Sequence, residues 1–225
     1  MARRILGGIA LVIIALAAVV LVRTLLLSHE LAGGETVDRH AFDADRAVAR
    51  LATALTYPTI SHQAPEDFDA GAFEGFLAFL EEAYPRIYAE VSVKLAGGYT
   101  KLYRWESSNP GLNSRMLIGH YDVVPVEPGT EDDGSYEPFG DEIAAAFLWG
   151  RGALDDKAGV LSALEAVAYV LETGFAPARA LYIAAHHDQE VGRLGGAAQV
   201  MEDIDAPLAI GGAEKGFLNL ALHIP

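Results

Sequence analysis

The sequence predicts an α/β domain, a three-layer α/β/α fold on a mixed sheet, preceded by one transmembrane helix. Three observations carry this. Short runs of period two alternate along the chain with longer runs of helical period, and alternation of that kind is the signature of helices layered on a sheet. The run Leu181-Tyr182-Ile183-Ala184-Ala185 is apolar throughout, as a strand covered on both faces would be. Upstream of all this, Ile5 to Val22 carries no charge, and roughly 20 residues at helical rise span a bilayer.

Taken in order, residues 1–27 form the expected membrane anchor, with a transmembrane helix over 5–27. Arg3 and Arg4 precede the apolar run, Arg23 interrupts its end and Leu25-Leu26-Leu27 complete it. A run apolar on every face is not the stripe of a globular helix. No Ala-x-Ala pattern follows, so an uncleaved anchor is expected over a cleaved signal, with secretion after cleavage as the alternative. The positive-inside rule keeps Arg3 and Arg4 cytoplasmic and places the remainder outside. Residues 28–41 read as a polar linker, and 42–225 as the α/β domain.

Within that domain, Val48, Leu51, Ala52 and Leu55 recur at helical spacing after Asp43 and Asp45, and Tyr57-Pro58 ends the helix. Phe73, Phe76, Leu77, Leu80 and Tyr84 stripe a second helix over 69–84, with Pro85 as its stop. Residues 91–95 and 100–105 alternate around Gly97-Gly98, which reads as a hairpin. A strand follows from Arg115 and ends at Gly119-His120-Tyr121-Asp122. An acidic loop, 127–141, leads to a short strand at 147–149. A helix over 157–172 stops at Gly174, the 181–185 strand follows, and a last helix and strand occupy 195–224.

The 225 residues carry 31 acidic against 16 basic side chains, a formal net charge of −15. That balance opposes nucleic-acid binding, which needs clustered Lys and Arg on phosphates. There is no cysteine, so disulfides and thiolate-held zinc are excluded and the redox compartment is unreadable.

Histidine and carboxylate gather in three places: His120-Tyr121-Asp122, Asp155-Asp156 and His187-Asp188-Gln189-Glu190. Each follows a strand or opens a helix, and ligands of open α/β sheets bind at the carboxyl ends of strands. Imidazole nitrogen and carboxylate oxygen are what borderline divalent metals take. In His-x-Asp the second side chain can orient an imidazole ligand. Each cluster also has a bland reading: a hydrogen-bonded pair, a helix N-cap at Asp155, a solvated turn at 186–190.

The segments "LIGHYDVVPV" (117–126), "FLWGRGALDDKAGV" (147–160) and "AAHHDQEVG" (184–192) are similar to those of the co-catalytic zinc family of aminoacylases, carboxypeptidase S, acetylornithine deacetylase and succinyl-diaminopimelate desuccinylase. They occur in family order, with 35 residues from 120 to 155 and again from 155 to 190. The phrase "YEPFGDEIAAAFLWGRGALDDK" resembles the carboxypeptidase S and N-acyl-amino-acid hydrolase branch. The resemblance covers about residues 43–225, the N-terminal half of such a domain.

It implies two zinc ions sharing a carboxylate and a water, and hydrolysis of a peptide or N-acyl-amino-acid amide. His120 would ligate one zinc, Asp155 bridge, Glu190 ligate the other and Asp122 steady the site, with Asp156 at a variable position. A metal-activated water is a nucleophile at neutral pH.

The sequence departs from that pattern at three points. Gln189 stands at the general-base position, where the family has Glu, and an amide does not titrate usefully. Asp188 is a possible substitute, expected to point elsewhere. Ala213-Glu214-Lys215-Gly216 stands where the family has Asp-Glu-Gly-Gly, and Glu214 could serve by a one-residue shift. The family's late histidine ligand and its lid domain, through which it dimerises, would fall beyond residue 225, and His223 is too early to replace that ligand. Each zinc then has two protein ligands instead of three, and the chain alone is expected to be impaired or inactive. The alternative is a non-catalytic, membrane-anchored binding protein; a mononuclear metalloenzyme with an altered base ranks third.

Overall fold

The computed structural model describes residues 2–26, 42–130, 133–192, 195–204 and 208–209. The chain divides into two units, 1–41 and 42–225. The first holds helix α1, Ala2–Leu26, whose stretch Leu6–Thr24 is long and apolar enough to cross a membrane. The hydroxyl of Thr24 is satisfied within the helix, on Val20 O at 2.8 Å. The linker expected at 28–41 lies outside the described residues.

The second unit opens with α2, Ala44–Leu55, capped by the Asp43 carboxylate on Arg46 N at 3.0 Å. Helix α3, Ala70–Ala83, is capped in the same way by Asp69 on Gly71 N and Ala72 N. Such caps satisfy amides that have no partner inside the helix. Pro85 was expected to stop the chain's helical course. It does end α3, but it also occupies the first turn of a further helix, α4, Pro85–Glu90. Proline is at home there, because that N–H would lack an intrahelical acceptor in any case.

Strands β1, Ser92–Ala96, and β2, Thr100–Trp105, form the expected hairpin, with Ala96 opposite Thr100 across the glycine turn. Strand β3 runs Ser114–His120. Strands β4, Ile143–Ala144, and β5, Phe147–Leu148, pair only with each other, so the strand expected at 147–149 stands apart from the main sheet. Helix α5, Lys157–Glu172, leads to β6, Leu181–His186; α6, Gly195–Glu202, and β7, Leu208–Ala209, follow. The rest of the element expected over 195–224 lies outside the described residues.

The main sheet has the order β1-β2-β6-β3-β7. Strands β3, β6 and β7 are parallel, and β2 is antiparallel to β6. Both faces of its centre are covered. On one, Phe73, Phe76 and Leu80 of α3 and Val160, Leu164 and Leu171 of α5 pack with Tyr103, Ile183 and Ala185. On the other, Val200 of α6 joins Leu102, Met116, Tyr182 and Ala184. Successive residues of β6 thus alternate between two buried faces, which accounts for the unbroken apolar run. Removing a fully buried ring such as Phe73 or Phe76 would cost about 3–5 kcal/mol.

Because β3 connects through α5 to its parallel neighbour β6, the carboxyl ends of both strands emerge side by side, with His120 opposite His186. Helix α5 approaches β3 very closely. A Cβ on Gly119 would stand 3.0 Å from both the Asp156 carboxylate and a Val160 methyl, so only glycine admits that approach.

Candidate metal centre

At this strand edge the side chains of His120, Asp155 and Glu190 converge, one ligand atom from each lying within 4.8 Å of the others. Each arrives differently. His120 is the last residue of β3. Asp155 precedes α5 in a run of turns over 151–156; within it Gly152 has a φ of +87° that favours glycine, and an added Cβ there would meet Val123 at 3.0 Å and Lys157 at 3.1 Å. Glu190 sits in the turn after β6.

Asp122 is fully buried and ties two of these together. Its Oδ2 accepts from Glu190 N at 2.9 Å, and its Oδ1 stands 3.4 Å from His120 Nδ1. Burial would push the Asp122 carboxyl up, yet His120, the Glu190 amide and the Ser61 hydroxyl together hold it below the ordinary carboxylate range. It therefore acts through His120 and the 190 turn instead of facing the cleft.

The protonation of His120 follows from its partners. Nδ1 lies 3.0 Å from Asp122 O, which can only accept, so Nδ1 donates. Nε2 lies 3.0 Å from Asp155 Oδ1, another acceptor. Without a metal both nitrogens carry protons. Burial alone would lower the His120 pKa, but Asp122 and Asp155 override it and raise it to about 9. Glu190 is pushed up by burial and by Asp155 and Asp122, against the opposing pull of His120 and Arg151.

These residues fit a divalent cation. A proton on Nε2 already bridges imidazole and carboxylate, and a second carboxylate, Glu190, lies close by. A cation would replace that proton and relieve the crowding. The three ligand atoms lie within 4.8 Å of one another, with His120 Nε2 and Asp155 Oδ1 3.0 Å apart. Nitrogen with two oxygens is also a donor set zinc accepts.

Gln189 is exposed beside Glu190. Asp188 is buried and accepts from Gly196 N at 3.3 Å, so it faces α6 and not the metal group. His187 bonds Thr100 Oγ1 through Nδ1 at 2.8 Å. Residues 213–216 and His223 lie outside the described residues. The N-cap position of α5 falls on Asp156 instead of Asp155, which separates the two readings left open for Asp155. Sequence reading also passes over Asp156, whose Oδ2 accepts from His120 N at 3.3 Å. Its only signal was its place beside Asp155.

Comparison with known proteins accords with this geometry. Residues 116–224 match the profile of peptidase family M20/M25/M40, and all three motif segments fall inside that span. These residues are a segment of a peptidase M20 domain. The chain is 35% identical over 158 residues to a probable carboxypeptidase S-like protein of Dictyostelium discoideum, covering 69% of this chain and 30% of that one. It is 30% identical over 161 residues to an N-fatty-acyl-amino acid synthase/hydrolase of Xenopus tropicalis, covering 71% and 31%. The chain thus spans about a third of the length of these M20 relatives. In fold it resembles the di-peptidase Dug1p of Saccharomyces cerevisiae, with a TM-score of 0.57 at 21% identity over 71% of this chain and 35% of that one.

Proposed function

We propose that this M20 segment belongs to a zinc-dependent hydrolase of peptide or N-acyl-amino-acid amide bonds, with His120, Asp155 and Glu190 as metal ligands. The observation that carries the reading is their convergence within 4.8 Å at the carboxyl ends of two adjacent parallel strands. The names of the Dictyostelium and Xenopus relatives support the substrate class. Zinc held there supplies Lewis acidity and lowers the pKa of a water toward neutrality. The chain's own residues do the rest. Asp122 and its carbonyl hold the Nδ1 side of His120, which leaves Nε2 turned toward Asp155. The bond from Glu190 N to Asp122 holds the 190 turn against the same carboxylate.

Gln189 stands where the resemblance places a general base. Its amide can orient a water or a substrate carbonyl but cannot take up a proton. General-base catalysis contributes about 10²–10⁴-fold, so wild-type turnover is expected to be slow. Gln189→Glu should raise amidase activity on an N-acyl amino acid by a factor in that range, with zinc affinity unchanged. Tight zinc uptake with no gain in that variant would favour the second reading, a non-catalytic binding protein, which the exposed Gln189 supports. Absence of zinc uptake by the wild-type chain would overturn the metal site itself.

The charge-free length of α1 supports its assignment as a signal or membrane anchor. In this reading it spans the bilayer once, with Arg3 and Arg4 cytoplasmic and the hydrolase portion outside. The chain has no cysteine, so Glu66→Cys, at an exposed turn, gives a single reporter. A membrane-impermeant thiol reagent should label it on intact cells, and labelling only after lysis would reverse the topology.

A further inference from the structure

The two loops that bring His120 and Glu190 together are neighbours, but their ladder ends at His120 and His186. Beyond that point another segment ties them. Between α2 and α3 the chain runs extended beside residues 121–123. Thr59 O accepts from Val123 N at 3.0 Å, Ser61 N donates to Val123 O at 3.2 Å, and Ile60 bridges to Val123 in parallel. The fully buried Thr59 hydroxyl donates to Tyr121 O at 2.6 Å. Those bonds hold the His120–Asp122 loop.

The same segment reaches the other loop. The Ser61 hydroxyl, on a residue only 6% exposed, donates to His187 O at 2.9 Å. The Gln63 amide donates to Val191 O at 3.2 Å. Glu190 lies between these two anchored carbonyls. In an extended chain, residues two apart share a side, so the bonds from 59, 61 and 63 step from one loop to the other.

We infer that residues 59–63 form a strap, with Ser61 its central positioning residue, that sets the spacing between His120 and Glu190 and so the affinity of the metal site. The inference rests on the reading of these residues as ligands. Removing a group that holds a metal ligand in place typically changes affinity or activity about 10–100-fold, because ligand atoms must be held to roughly 0.5 Å.

The test compares Ser61→Ala and Ser61→Thr with wild type in the whole chain. Two readouts are used: zinc affinity by chelator competition, and amide exchange at Glu190 against exchange at Ile183 in the core of β6. Ser61→Ala should weaken zinc about 10–100-fold and speed exchange at Glu190 while Ile183 stays protected. Ser61→Thr, which keeps the hydroxyl, should restore both. Unchanged Glu190 exchange in Ser61→Ala overturns the strap, as does equal acceleration at Ile183, which would mark a merely stabilising bond. Should wild type take up no zinc, the metal reading fails, and the exchange comparison alone decides the strap. If Ser61→Ala does not fold, Gln63→Ala on the exposed end takes its place. Faster exchange at Glu190 alone supports the strap there, and no change overturns it.

Discussion

His120 and His186 face each other across the parallel pair β3 and β6, each the last residue of its strand. Their chemistry is opposite. His120 reaches Asp122 on one side and Asp155 on the other, and its pKa is raised to about 9 although burial alone would lower it. His186, 5% exposed, is held by burial below the ordinary value of 6.5, despite the opposing pull of Asp188 and Asp122. Position in the fold is the same, and residue type is the same. What differs is whether carboxylates lie against the ring nitrogens. One histidine is thereby held protonated, while the other stays a neutral part of the sheet.

The largest expected effect breaks this contrast directly. His120→Ala should abolish measurable zinc uptake, a loss beyond about 100-fold, since losing a group that merely hydrogen-bonds a ligand already costs about 10–100-fold. His186→Ala should leave zinc affinity within about threefold and instead lower stability by about 1–3 kcal/mol. Isothermal titration with zinc and denaturant unfolding separate the two. If both variants bind zinc equally well, the assignment of His120 is wrong.

A smaller effect sharpens it. Asp122→Asn removes the buried charge while keeping the shape, and should weaken zinc about 10–100-fold. It should also lower the metal-free His120 pKa from about 9 toward the ordinary histidine value, readable from imidazole NMR shifts. An unshifted His120 titration would show that Asp155 alone sustains the imidazolium.

The smallest effect is the pH dependence of the metal-free chain, where the two histidines act with opposite sign. His120 is raised, so its contribution to stability is complete below pH 6.5 and is lost as pH rises through about 9. His186 is lowered, so below pH 6.5 the unfolded chain takes up a proton that the folded chain refuses, and stability falls. His186→Gln should flatten the acid limb of the unfolding curve and leave the alkaline limb alone. An unchanged acid limb would mean that His186 is not held neutral.

The legible parts of this molecule were those with local causes. The helix opened at Asp43, the Gly97-Gly98 hairpin and the stripe of α3 follow from short-range periodicity and turn chemistry. Three of the site residues also stood out, since His120, Asp155 and Glu190 lie in recognisable motifs. The second helix after Pro85 did not, because a proline that ends one helix can open the next. Ser61 was silent, and Asp156 stood out only as the neighbour of Asp155. Asp156 holds the His120 amide from 36 residues away, and Ser61 bonds a carbonyl 126 residues distant. No periodicity within a strand or helix encodes such separations.

The sequence by itself determined the order of strands and helices, an apolar helix long enough for a membrane, and a set of imidazole and carboxylate groups suited to a divalent metal. It also placed an amide, Gln189, beside the carboxylate of Glu190. Only the tertiary structure decided that β3 and β6 end side by side, that three ligand atoms meet within 4.8 Å, and that His120 is charged where His186 is neutral. The physical reason is range. Helical and strand periods act over a few residues, whereas desolvation and the field of a carboxylate depend on neighbours that folding alone brings together.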